Sequence, residues 1–208
     1  MSSSSLVRRI GLLTGTFDPV HAGHIALARE AIGAAGLDEV WLVVNPRRTN
    51  SPVENKTGVL SYGHRMAMAK LAAMRESGVL VYKGELRDQP HSVSTFAKFA
   101  TLYPNLEFVF ILGMDAIARL DGWDDVESVV ETTSFVAATR PNIAKDSIDG
   151  LRYRLGPLGP KLKVQSFDFE GYGEVSSTVA RRALASGDSP NWLSKEVYAY
   201  IRRNNLYI

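Results

Sequence analysis

Two of the chain's four histidines, His21 and His24, stand in the string TGTFDPVHAGH at residues 14–24. About one helical turn separates them, so both imidazoles can address the same point in space. Gly15 lets a ligand approach the backbone closely, Pro19 fixes the turn, and Gly23 lets a helix start pack tightly. Such a pair is equipment for a zinc ion or for a polyphosphate. No third ligand lies at a typical zinc spacing, whereas two ring donors beside the unpaired N–H groups of a helix start suit an anion. A second string, EVSSTVARRAL at 174–184, has related chemistry. Ser176 and Ser177 are good N-cap residues, and Arg181 follows one turn inside, where its guanidinium can reach a phosphate held at the helix start. A third string, ILGMDAIARLDGW at 111–123, contributes Asp115, able to accept two hydroxyl hydrogen bonds, and Trp123, a flat face for an electron-poor heterocycle. Taken singly, Asp115 equally suits a helix cap and Trp123 a core aromatic.

Strands and helices must hold these groups. Short apolar runs at 7–14, 40–45, 79–83, 107–112, 134–138 and 162–167 read as strands, mostly buried on both faces. Helical periodicity occupies 25–35, continues from a Ser61 cap through residue 77, and returns at 92–103. Strand followed by helix, repeated this often, predicts an α/β fold, a Rossmann-like doubly wound parallel sheet. Residues 6–175 are expected to form that domain. Residues 176–208, with two helical patterns and no strand, form a small C-terminal helical part of it, and 1–5 read as a disordered leader. Residues 140–161, polar and rich in glycine and proline, predict a long loop with room for one short helix. In open sheets of this class, ligands lie outside the carboxyl ends of the strands, and GTFDPVHAGH occupies the first strand-to-helix turn.

Composition narrows the chemistry further. At 208 residues and 45% hydrophobic, the chain can bury one real core. With 24 basic against 22 acidic residues, it lacks the broad positive footprint of a nucleic-acid binder but leaves room for a local phosphate pocket. The absence of cysteine excludes disulfides and thiolate metal sites. No apolar stretch approaches the roughly 20 residues that span a bilayer. MSSSSLVRR has no apolar core behind its charges. A cytoplasmic protein without nucleic-acid or membrane partners is expected, and a homo-oligomer is left open.

The first string resembles the GTFDPxHxGH signature of the HxGH nucleotidyltransferase superfamily, and SSTVAR resembles its second motif, Ser-Ser-Thr-x-x-Arg. GMD…W resembles the G-x-D…W segment of the bacterial nicotinate mononucleotide adenylyltransferases. The likeness extends into SYGHRMAM and SGDSPNWLSKEVYAYIRRNNLY, and so covers nearly the whole chain. The resemblance implies an enzyme of NAD biosynthesis that moves AMP from ATP to nicotinate mononucleotide, with Mg²⁺ carried on ATP and no metal cage in the protein. By the same resemblance His21, His24 and Arg181 are catalytic. Gly15, Thr16, Phe17, Gly113, Asp115, Ser176, Ser177 and Thr178 bind the nucleotide, while Asn45, Lys56, Ser92, Trp123 and Arg140 bind the pyridine nucleotide. Asp18 could touch the Mg²⁺ through water.

Several positions depart from the family pattern. NPRRTNSPVENK replaces a Pro-Pro-His-Lys loop, so either Lys56 or Arg47 and Arg48 take the lysine's role. HSVST replaces Tyr-Thr-x-x-Thr, where Ser92 keeps a hydroxyl but His91 replaces a phenol. Asp124 and Asp125 either repel a nicotinate carboxylate, favouring the carboxamide, or begin a helix. Nicotinamide mononucleotide and phosphopantetheine adenylyltransferases share both phosphate motifs. A non-catalytic nucleotide-binding module is the alternative from another class.

Overall fold

The computed structural model describes residues 7–46, 59–84, 93–123, 125–139, 147–170 and 175–208. Six strands, β1 (Arg8–Gly15), β2 (Glu39–Val44), β3 (Val79–Val81), β4 (Leu106–Gly113), β5 (Ser134–Thr139) and β6 (Lys163–Asp168), form one all-parallel sheet. Among the described residues eight α-helices accompany them: α1 (Ala22–Ala35), α2 (Tyr62–Ala73), α3 (Val93–Leu102), α4 (Met114–Ile117), α5 (Val126–Thr132), α6 (Ser147–Arg154), α7 (Ser177–Ala185) and α8 (Lys195–Arg203). The strand order is β3-β2-β1-β4-β5-β6. The chain therefore winds outward from β1 to one edge and then returns to β4 on its other side. That reversal opens a crevice at the carboxyl ends of β1 and β4, the place where doubly wound sheets receive ligands.

Alternation along the strands splits the core in two. Leu13 pairs in register with Leu42 and Ile111, and all three point into one apolar layer together with the inner faces of α1, α2 and α8. Leu12 pairs with Trp41 and Phe110 and points the other way, into a layer shared with α4, α5 and α6. Both faces of β1, β2, β4 and β5 are covered, which is why these strands read as continuous apolar runs. Gly11 marks close packing on the first face. A Cβ there would lie 2.7 Å from Ile111 Cδ1 and 2.8 Å from Leu37 Cδ1. Leu184 of α7, Val197 and Ile201 of α8 and the later Leu206 join this same first layer.

Some boundaries differ from the sequence expectation. α1 begins at Ala22, a turn before the apolar stripe, because His21 itself takes the N-cap position. β3 ends at Val81, although Tyr82 N–H still donates to Leu42 O at 3.0 Å. The one short helix allowed for within 140–161 is α6, and beyond that expectation it is followed by a 3-10 helix, Gly156–Lys161. The reason is an apolar stripe of Ile148, Leu151, Leu155 and Leu158, which packs into the second layer through intervening glycines and prolines. α4, only four residues long, lies outside the expected helices, whereas α5 starts from an Asp125 N-cap, as the helix-start alternative expects.

Candidate active site

The end of β1 runs into a tight turn. Phe17 adopts a left-handed φ of 50°, and its ring folds over Gly15, where an added Cβ would stand 2.9 Å from the ring. The Asp18–Pro19 peptide is cis. His21 then caps α1, and its backbone N–H donates to His24 Nδ1 at 3.2 Å. The two imidazoles stack with centroids 3.7 Å apart, and Phe17 meets the His24 ring edge-on at 4.9 Å. Burial, and then the neighbouring His21, hold the His24 pKa well below its ordinary value, so the ring is neutral near pH 7. With Nδ1 accepting, the ring proton lies on Nε2, the nitrogen left to donate to an anion.

α7 is hooked onto this turn from the far end of the sequence. Ser177 Oγ donates to Pro19 O at 2.9 Å, and Arg181 Nη1 donates to Asp18 O at 2.7 Å. Arg181 Nη2 also donates to Thr178 Oγ1 at 3.2 Å, while Ser176 Oγ accepts from Val179 N–H at 3.2 Å as the cap of α7. Two helix N-termini and one guanidinium therefore meet at a single turn. Parts of the Arg181 fork remain to contact an anion, since the group carries five donors.

Sequence reasoning missed the residue that underpins this corner. Arg65 of α2 is fully buried, and its guanidinium donates to Thr16 O at 2.7 Å, Asn45 O at 2.8 Å and Leu60 O at 3.0 Å. Asn45 N–H in turn donates to Gly15 O at 2.9 Å. The carboxyl ends of β1 and β2 are thus tied together by one side chain. The available signal was an arginine on the buried face of α2, in line with Ala69 and Ala73.

Across the crevice, Gly113 is the N-cap of α4 and Asp115 folds back over it, leaving Oδ1 only 2.5 Å from where a Cβ would stand. Asp115 is exposed and pairs with Arg119 at 3.4 Å, a surface contact of small energetic weight. Trp123 is half-buried against the second apolar layer. Asp125 occupies the N-cap position of α5, in keeping with the helix-start alternative. The reading of Asp18 as a water-mediated metal contact is corrected. The residue is 2% exposed and its carboxylate turned inward, with Oδ1 accepting from the Tyr207 hydroxyl at 2.6 Å and Oδ2 buried without a hydrogen bond. Lys56, Ser92 and Arg140, like Arg47, Arg48, His91 and Asp124, lie outside the described residues. Among the described residues no cluster of three or more acidic or histidine side chains could hold a metal ion.

The cytidylyltransferase-like family model matches residues 12–183. A probable nicotinate-nucleotide adenylyltransferase from Bacillus mycoides is 32% identical over 204 residues, covering 97% of this chain and 99% of its own. The chain belongs to the cytidylyltransferase-like family, among the nicotinate-nucleotide adenylyltransferases. A further member, from Carboxydothermus hydrogenoformans, is 32% identical over 202 residues, with 96% and 98% covered. The fold is shared with the nicotinic acid mononucleotide adenylyltransferase of Plasmodium falciparum, solved in complex with NaAD. That match has a TM-score of 0.74 at 21% identity and covers 96% of this chain and 97% of the other. Family membership makes the protein a nucleotidyltransferase, and the crevice between β1 and β4 is its candidate active site.

Proposed function

We propose that this enzyme transfers AMP from MgATP to nicotinate mononucleotide, releasing pyrophosphate and nicotinate adenine dinucleotide, and that it does so in the cytoplasm. The observation that carries the reading is the meeting of His24, Arg181 and the α1 and α7 N-termini at one turn, beside the Gly113–Asp115 end of β4. An oxygen of the mononucleotide 5′-phosphate attacks the α-phosphorus of ATP. The new P–O bond forms as the α–β bridging bond breaks, and pyrophosphate departs with the electron pair. The attacking phosphate is already ionised near neutral pH, so no general base is required, and positioning with charge stabilisation carries the step. His24 Nε2–H and Arg181 would donate to the transferring and leaving phosphates, and His21 would orient the β- or γ-phosphate. The Gly15, Thr16 and Phe17 amides, with Ser176, Ser177 and Thr178 at the start of α7, would cradle the nucleotide.

In this reading Asp115 accepts from ribose hydroxyls and Trp123 stacks on the pyridine, whose remaining contacts fall to Asn45, Lys56, Ser92 and Arg140. Mg²⁺ enters as part of the substrate, since the inward-turned Asp18 leaves no carboxylate for it at the turn. An acceptor panel tests the proposal. Pyrophosphate release from ATP is followed with nicotinate mononucleotide, its carboxamide and phosphopantetheine, and CTP-dependent pairs are run alongside. The expected result is a kcat/KM for nicotinate mononucleotide at least about tenfold above every other acceptor. A higher value for another acceptor overturns the substrate, and nucleotide binding without turnover on any of them overturns the enzyme.

A further inference from the structure

We infer that Tyr207, near the end of the chain, is a positioning residue of the transfer site that acts through Asp18 on both His24 and Arg181; the inference rests on the adenylyl-transfer reading above. After α8 the chain folds back through Asn205 and Tyr207, both left-handed with φ of 48° and 62°. Asparagine tolerates that region, but an aromatic residue avoids it, so the Tyr207 conformation persists only where its surroundings enforce it. Leu206 between them is buried in the first apolar layer, and the Tyr207 hydroxyl donates to Asp18 Oδ1 at 2.6 Å. At the other end of this bond, Phe17 is left-handed as well, immediately before Asp18. One hydrogen bond, between residues 189 apart in sequence, therefore links the left-handed Tyr207 to the residue that follows the left-handed Phe17. Among the described residues the Asp18 carboxylate has no second anchor, because Oδ2 is buried without a hydrogen bond.

From Asp18 the restraint runs two ways. Its carbonyl accepts from Arg181 Nη1 at 2.7 Å, and the adjoining Phe17 ring packs edge-on against His24 at 4.9 Å. Burial, reinforced by the bond to Asp18, pushes the Tyr207 pKa far upward, so the phenol remains a donor across the working pH range. From Tyr207 the route to Arg181 and the histidines runs through Asp18 and the turn.

Tyr207→Phe keeps the ring and removes only the hydroxyl. Its expected signature is a split: kcat falls about tenfold, while KM for nicotinate mononucleotide stays within about twofold. The His24 ring resonances should move in imidazole NMR spectra of the same variant. Leu206→Val, which trims the same turn but leaves the hydroxyl, should lower the melting temperature without lowering kcat. The inference is overturned if Tyr207→Phe retains wild-type kcat and His24 resonances, or if Leu206→Val lowers kcat equally. Should the wild-type protein turn over no nicotinate mononucleotide, the functional reading fails on its own. The inference is then decided by the His24 resonances and by MgATP affinity, which must shift in Tyr207→Phe or else overturn it.

Discussion

His24 illustrates how one side chain's surroundings set its chemistry. A neutral imidazole whose Nδ1 accepts the His21 N–H presents Nε2–H in a fixed direction, at no cost of reorganisation during reaction. Removing a donor of this kind typically costs about 3 kcal/mol at the transition state, so His24→Ala should lower kcat about a hundredfold with the fold retained. Circular dichroism and steady-state kinetics on one preparation check both halves; near-normal turnover would remove His24 from the site. A pH dependence follows from the same ring. Its pKa lies near 6.5 in the unfolded chain and well below that when folded. Between those two values the unfolded state binds the extra proton, so this contribution to stability falls as pH drops below 6.5. Urea unfolding of wild type and His24→Asn at about pH 7.5 and about pH 5.5 should show the steeper loss in wild type. A bound polyphosphate acts oppositely by favouring the imidazolium, so pyrophosphate affinity should rise over the same downward pH change.

At the scale of elements, the corner depends on α2 as much as on the motif-bearing turns. Arg65 holds three carbonyls from three segments with one planar fork, a geometry that a lysine ammonium cannot reproduce. Arg65→Lys should leave at least one buried carbonyl unsatisfied and destabilise the protein by about 2 kcal/mol, read by urea unfolding. Because Thr16 and Asn45 belong to the ends of two strands, kcat/KM should fall for both substrates, and a loss confined to one would refute a shared clamp. The sequence made β1 to β6, α1 and α2 legible because each is an apolar run or stripe long enough to carry a period. α4, at four residues, is too short to carry one, and the stripe of α6 is masked by Gly150, Gly156 and Pro157. The motif turns were legible as strings. Arg65 was not, because an arginine inside a helical pattern reads as solvated until its neighbours are placed. The Tyr207 contact was also hidden, since nothing local links it to Asp18.

For the whole molecule, the doubly wound order does what no single motif could. It brings the turn after β1, the N-terminus of α7 and the end of the chain to one side of the crevice, and the Gly113–Asp115 end of β4 to the other. If the two sides hold the two halves of one dinucleotide, nicotinate adenine dinucleotide should stabilise the fold more than either AMP or nicotinate mononucleotide at the same concentration. At about 100 times its Kd, a ligand that binds only the native state adds about 2.7 kcal/mol. For a chain of this size that corresponds to a rise in Tm of about 5–10 °C. Differential scanning fluorimetry with the three ligands at matched concentration measures this directly. A dinucleotide shift no larger than that of the better mononucleotide would mean that the β1 and β4 ends do not engage one ligand together. Carrying the comparison into Tyr207→Phe then locates the clamp: the nicotinate mononucleotide shift should persist while the AMP and dinucleotide shifts shrink, because the clamp reaches only the phosphate side.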